Sequence, residues 1–237
     1  FREASATAAQ SGDRLNAPYY AIDCSRVLCR LGRPDEARRM LEQIDPGSYG
    51  TLVMQSDFLR AAIALTQRQF PAAIENSRKV LARPGVNNAF VAAAHSILGL
   101  AQAASGARSD ALESTAEAAN LVGKYGSTVL MVEPLLARAE ALLAAGDGRK
   151  ALEAALAAQP EFARTKRDEP AWRGWLLAAR AESASGNSAK TREYSEKAAN
   201  SLAALQRKWD PESYQTYVSR PDVQFDRGLL SRLLSAK

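Results

Sequence analysis

The sequence predicts an all-α protein built as a solenoid of stacked helical hairpins, and three observations carry that prediction. Glycines recur at one spacing, with Gly106, Gly146 and Gly186 separated by 40 residues. Small residues keep fixed offsets from each of them: Gly99, Ala139 and Ala179 seven before, Ala111, Ala151 and Thr191 five after, Ala118, Ala158 and Ala198 twelve after. Alanine is abundant, aromatics make up only 7%, and β-branched runs are missing, which favours helix throughout. A period in the range of about 20 to 50 residues marks a supersecondary unit that buries its apolar face only against its neighbours. Function in such a chain is expected on a surface.

The same offsets extend upstream. Gly32 has Ser25, Ala37 and Ile44 in the three places, and Arg68 has Ala61, Ala73 and Val80, which makes five units. Small residues there let paired helices approach closely, while Ile74, Leu112 and Leu152 beside them fill the seam between hairpins. Over roughly residues 13–205 this pattern resembles the tetratricopeptide repeat, with a small residue late in the first helix, a glycine turn and alanines in the second. The resemblance implies a right-handed superhelix whose first helices line a concave groove. Three departures stand out: units of 36 to 40 residues are long for the family, Arg68 replaces a turn glycine, and Arg60 and Arg138 occupy places that are usually apolar.

Taken in order, residues 1–12 read as the end of a truncated preceding repeat, since Phe1 and Ala4 fall where Thr115 and Ala118 stand in a complete unit. Five repeats then fill residues 13–209. Unit one has helices over Asn16–Leu31 and Pro34–Gln43, with both prolines tolerated in a first turn, and ends at Asp45, Pro46 and Gly47. Unit two has Leu52–Gln67 and Pro71–Ala82, broken by Pro84 and Gly85. Unit three spans Asn88–Val122, and Gly123–Ser127 connects it to Val129–Ala145, whose partner helix is expected to end before Pro160. Glu161–Pro170 reads as the longest polar connector. Trp172–Ser185 and Ser188–Trp209 complete unit five.

Residues 210–237 differ in kind and predict a helical C-terminal cap. Asp210 and Pro211 stop a long helix, and two short helices follow, split at Arg220 and Pro221. Tyr214, Tyr217, Val223, Phe225, Leu229, Leu230, Leu233 and Leu234 supply apolar residues at helical spacings, as a solenoid end requires. The string Trp209, Asp210, Pro211, then Tyr217 and Arg220 to Phe225, is similar to the segment closing repeat arrays at the C-termini of bacterial signalling proteins, including transmembrane Ser/Thr protein kinases. That resemblance implies the sensor or scaffold region of a larger protein.

Composition narrows the function classes. A chain of 237 residues with 46% hydrophobic and 24% charged residues is an ordinary globular one, and it has no run of about 20 uninterrupted apolar residues that would span a bilayer. The net charge of +5 invites a nucleic-acid reading, yet only Arg60–Arg83 is locally basic and no aromatics interleave for base stacking. Cys24 and Cys29, five apart on one helix, place their Cα atoms about 8 to 9 Å apart, beyond the roughly 7 Å that a disulfide bridges. Their spacing matches no zinc or redox motif. His95 has no histidine or cysteine at i+3 or i+4 and no relay partner placed by sequence, so it reads as packed or groove-lining rather than as a base or metal ligand. GARSDA, GDGRKA and GNSAKT are turns of the repeat and lack the phosphate-loop pattern. The sequence therefore predicts no catalysis, no metal and no cofactor.

The concave face remains. Residues thirteen and six before each turn lie two helical turns apart on one side of the first helix: Tyr19 and Arg26, Gln55 and Ala62, Ala93 and Leu100, Glu133 and Glu140, Arg173 and Arg180. With Phe58 and Ser96, Tyr19, Arg26, Gln55, Leu100, Glu133, Glu140, Arg173 and Arg180 form the candidate groove for a protein or peptide partner, upstream domains of the same polypeptide included. Two readings of its charges stand. Arg26, Arg173 and Arg180 match a carboxylate or phosphate on a ligand, or Glu133 pairs with Arg173 and Glu140 with Arg180 across adjacent helices about 10 Å apart. A small-molecule sensor is the alternative function, and it calls for a dry pocket walled by Leu100, Leu136, Leu176 and Tyr19.

Overall fold

In the computed structural model the described residues are 16–44, 50–124 and 128–236, and the predicted truncated repeat at 1–12 lies outside them. The described residues form twelve helices and no strand. Five hairpins come first: α1 (Ala17–Arg30) with α2 (Pro34–Glu42), α3 (Gly50–Thr66) with α4 (Phe70–Leu81), α5 (Asn88–Ala104) with α6 (Arg108–Gly123), α7 (Thr128–Ala144) with α8 (Gly148–Thr165), and α9 (Asp168–Ala184) with α10 (Ser188–Lys208). A tail of α11 (Pro211–Val218) and α12 (Pro221–Ser235) follows.

The periodic glycines are explained by one repeated turn. Gly32, Gly106, Gly146 and Gly186 all have φ between 75° and 86°, a left-handed conformation that costs glycine little. In each turn the residue after the glycine donates its N–H to a carbonyl five residues back, as Ala107 does to Gln102 at 2.9 Å and Asp147 to Leu142 at 2.9 Å, which closes the first helix in a Schellman motif. Arg68 adopts the same conformation at φ 57° without being glycine, and Gln69 donates to Ala64 at 2.8 Å in the same way.

The small residues at fixed offsets sit at the helix crossings. Ala61, Ala139 and Ala179, Ala37, Ala73, Ala111 and Ala151, and Ala118, Ala158 and Ala198 are all fully buried. Gly99 is tighter still, since a Cβ there would stand 2.4 Å from the Thr115 methyl. Close approach at these points sets the stacking of the array.

Curvature follows from which helices meet. Successive first helices (α1, α3, α5, α7, α9) pack on one another, whereas successive second helices make at most marginal contact. The first helices therefore line the inside of the curve. The described residues form an all-α superhelix of the tetratricopeptide-like kind.

One expected break is absent. Helix α8 runs through Pro160 to Thr165, and most of the predicted connector Glu161–Pro170 is helical, with α9 starting at Asp168. Pro160 lies on the exposed side, where the carbonyl that loses its donor meets water. The following turn buries Phe162 against Val132 and Ala158, worth about 2 to 3 kcal/mol, which offsets most of the interior-proline penalty of about 3 kcal/mol. Lys166, left-handed at φ 53°, ends the helix instead.

Candidate binding groove

Each groove candidate can now be placed. Tyr19 is 46% exposed, and Arg26 is exposed with its guanidinium on Asp23 at 3.1 Å within the same helix. Gln55 on α3 and Leu100 on α5 are half-buried. Phe58 is half-buried and packs edge to face on Phe90, ring centroids 5.6 Å apart. Ser96 does not reach the groove: it is buried, and its hydroxyl donates to the Ala92 carbonyl at 2.9 Å. Expected pocket walls are not brought together either, because Leu176 joins the cluster under the tail, Leu136 packs between α7, α8 and α9, and Tyr19 belongs to neither cluster.

The charged candidates form a ladder of alternating sign. Arg180 makes two hydrogen bonds to Glu140 one repeat away, at 2.6 and 2.9 Å, as the ion-pair reading expects. Glu133 pairs with Arg167 at 3.2 Å rather than with Arg173. Arg173 has turned to the tail, where it donates to Asp222 at 2.6 Å and stands 3.6 Å from Asp226. Helix α12 packs on α9 and α10 where the first helix of a sixth unit would stack, and its two carboxylates continue the ladder.

Burial makes these charges interdependent. Asp222 resists its desolvation because Arg173 and Arg220 hold its carboxyl down to about 2. Asp226 does not: burial pushes it up to about 6 against the pull of Arg173, with Glu140 and Asp222 adding to the rise. Arg173 and Arg180 stay charged in spite of desolvation, through Asp222 and Glu140 respectively.

The tail also reaches the start of the array. Arg220, only 6% exposed, grips Asp222 through two hydrogen bonds and donates to the Arg30 carbonyl at the end of α1, at 3.0 Å. A Cβ on Gly32 would lie 2.4 Å from the Thr216 carbonyl oxygen. The guanidinium of Arg68 sits 3.8 Å over the Phe225 ring. Sequence reading placed these tail residues in a cap and missed their reach to units one and two. No periodic signal marks that reach, because the tail residues stand outside the repeat register.

Other candidates resolve into packing. Cys24 and Cys29 are buried free thiols. His95 is half-buried, desolvation lowers its pKa, and its Nδ1 has no hydrogen-bond partner among the described residues. In the basic stretch, Arg60 and Arg83 both pair with Asp57, at 3.5 and 2.7 Å, and Lys79 pairs with Glu75 at 2.7 Å. Asp57, just outside the stretch, takes two of its arginines and reduces its positive excess without cancelling it. No described helix is long and apolar enough to cross a membrane.

The fold and its inner face define a helical-repeat superhelix of the tetratricopeptide-like class. Among solved structures, it is similar to a Rap protein complexed with competence and sporulation factor. The TM-score is 0.67 at 14% sequence identity, over 93% of this chain and 69% of that one. No protein-family model matches the sequence, and no curated protein matches it.

Proposed function

We propose that this chain is a non-catalytic binding module that holds a peptide or a partner helix along its concave face. The observation that carries the reading is the row of first helices packed one on the next, on which Tyr19, Gln55, Leu100 and Glu133 keep half-buried or exposed side chains of mixed character. Such a row fits an amphipathic or extended segment, with apolar anchors between polar contacts. The likeness to a Rap protein solved with a bound factor supports it. Arg173 and Arg180 act as structural ion pairs that set the shape of the groove at its far end, and ligand contacts fall on units one to four. By resemblance of the segment Trp209–Phe225, the module belongs to a larger bacterial signalling protein. Most residues of that segment are spent on docking the tail, Trp209 against Tyr217 and Arg220 against Asp222.

Capture of partners from a lysate of the source cell by wild type and by a Gln55→Arg, Leu100→Arg variant tests this reading, with Arg78→Glu on the second helix α4 as control. Wild type and the control are expected to retain the same protein and the groove variant to lose it. Retention by a groove variant that folds by circular dichroism contradicts the proposal.

A further inference from the structure

The tail meets the rest of the molecule through two unequal interfaces. On the last hairpin it is anchored: Tyr217, Val223 and Leu230 are buried against Trp172, Leu176 and Leu202. The Trp172 indole N–H donates to the Tyr217 hydroxyl at 2.8 Å, and that hydroxyl donates to Glu169 at 3.1 Å. Against units one and two the contact is thin. It consists of the Arg220 bond to the Arg30 carbonyl, the approach of Thr216 to the Gly32 turn, the Arg68 stack on a Phe225 that is 44% exposed, and a limited meeting of α12 with α3.

We propose that the superhelix is a hinged ring: the tail is anchored on the fifth hairpin and only latched to the first two, and the ring opens at the latch to widen the concave groove. A solenoid distributes such motion easily, because each hairpin contacts only its neighbours and small rotations add along the array. Arg68 supports the assignment. It occupies the one hairpin turn of the five that lacks glycine, at a left-handed φ of 57°, and the side chain placed there at that conformational cost is the one that stacks on the tail. The purpose given to the opening rests on the groove reading above, but the opening itself is measured without any partner.

Two glycine variants separate the latch from ordinary turn strain. Gly32→Ala and Gly106→Ala impose the same left-handed cost, at φ 79° and 83°. Only the first drives a Cβ to 2.4 Å from the Thr216 carbonyl oxygen and 2.8 Å from Arg220, while the second meets nothing within 4 Å. In small-angle scattering, Gly32→Ala is expected to raise the radius of gyration by about 2 Å on the roughly 18 Å of a compact chain this long. Gly106→Ala is expected to match wild type, and tryptophan fluorescence is expected to stay native in both, since the anchor holds. Should Gly32→Ala not fold, Arg68→Gly with Phe225→Ala removes the stack of the latch without a clash and without touching the Asp222 pairing, and carries the same expectation. An unchanged radius of gyration in the latch variant that folds overturns the proposal, and so does loss of the native fluorescence, which would make latch and anchor one unit. Failure of partner capture with a confirmed opening would count against the groove reading alone.

Discussion

Asp222 and Asp226 stand one helical turn apart on α12 and face the same guanidinium, yet they titrate in opposite directions. Asp222, held near 2 by Arg173 and Arg220, contributes stability that is present above its unfolded value of 3.8 and is lost as the pH falls toward 2. Asp226, raised to about 6 by burial, binds its proton more tightly in the folded chain than in the unfolded one. Its contribution therefore grows as the pH falls from 6 toward 4, and its ionised form is a net cost at neutrality. Asp226→Asn is expected to raise the melting midpoint at pH 7.5, with the gain shrinking as the pH falls through 6 and vanishing only below the unfolded value of 3.8. His95, whose burial lowers its pKa, pulls the other way on acidification but is common to both proteins, so their difference isolates the carboxyl. A lower midpoint for the variant at pH 7.5 would mean that Arg173 compensates the buried charge in full.

Helix by helix, the tail is held by a polar pair inside an apolar cluster. Tyr217 is fully buried, and its hydroxyl serves both the Trp172 indole and Glu169. Tyr217→Phe strands the buried Trp172 indole N–H and takes a donor from the half-buried Glu169, and is expected to cost about 1 to 3 kcal/mol in denaturant unfolding, with the tail still docked through its ring. Elements of this kind were legible in the sequence where periodicity spoke. The glycine turns, the buried alanines and the split at Arg220 and Pro221 all emerged from spacing, because each has a local steric cause. Helix α8 was misread at Pro160, since a proline is a local signal while the burial of Phe162 that overrides it depends on Val132, thirty residues away. Ser96 is buried with its hydroxyl turned to the carbonyl of Ala92 on its own helix, which repeat spacing alone does not reveal. The salt bridge of Glu140 to Arg180 was readable as a one-repeat spacing, whereas Arg173 to Asp222 was not, because the tail leaves the repeat register.

Across the whole molecule, charge and curvature decide what the surface can do. A net charge of +5 is distributed so that the basic stretch around α3 and α4 is partly paired, with Asp57 taking Arg60 and Arg83 and Glu75 taking Lys79. Curvature instead gathers the first helices into one inner face, and the tail joins the two ends of the array around it. A partner bound along that face touches inner residues and spares outer ones. Site-specific photo-crosslinking tests this most directly, with a benzophenone side chain placed singly at Gln55 and Leu100 on the inner face and at Arg78 and Glu153 on the second helices. One discrete protein adduct shared by the two inner positions and absent from the two outer ones is expected. Adducts confined to the outer positions would place the binding surface on the second helices and contradict binding along the inner face.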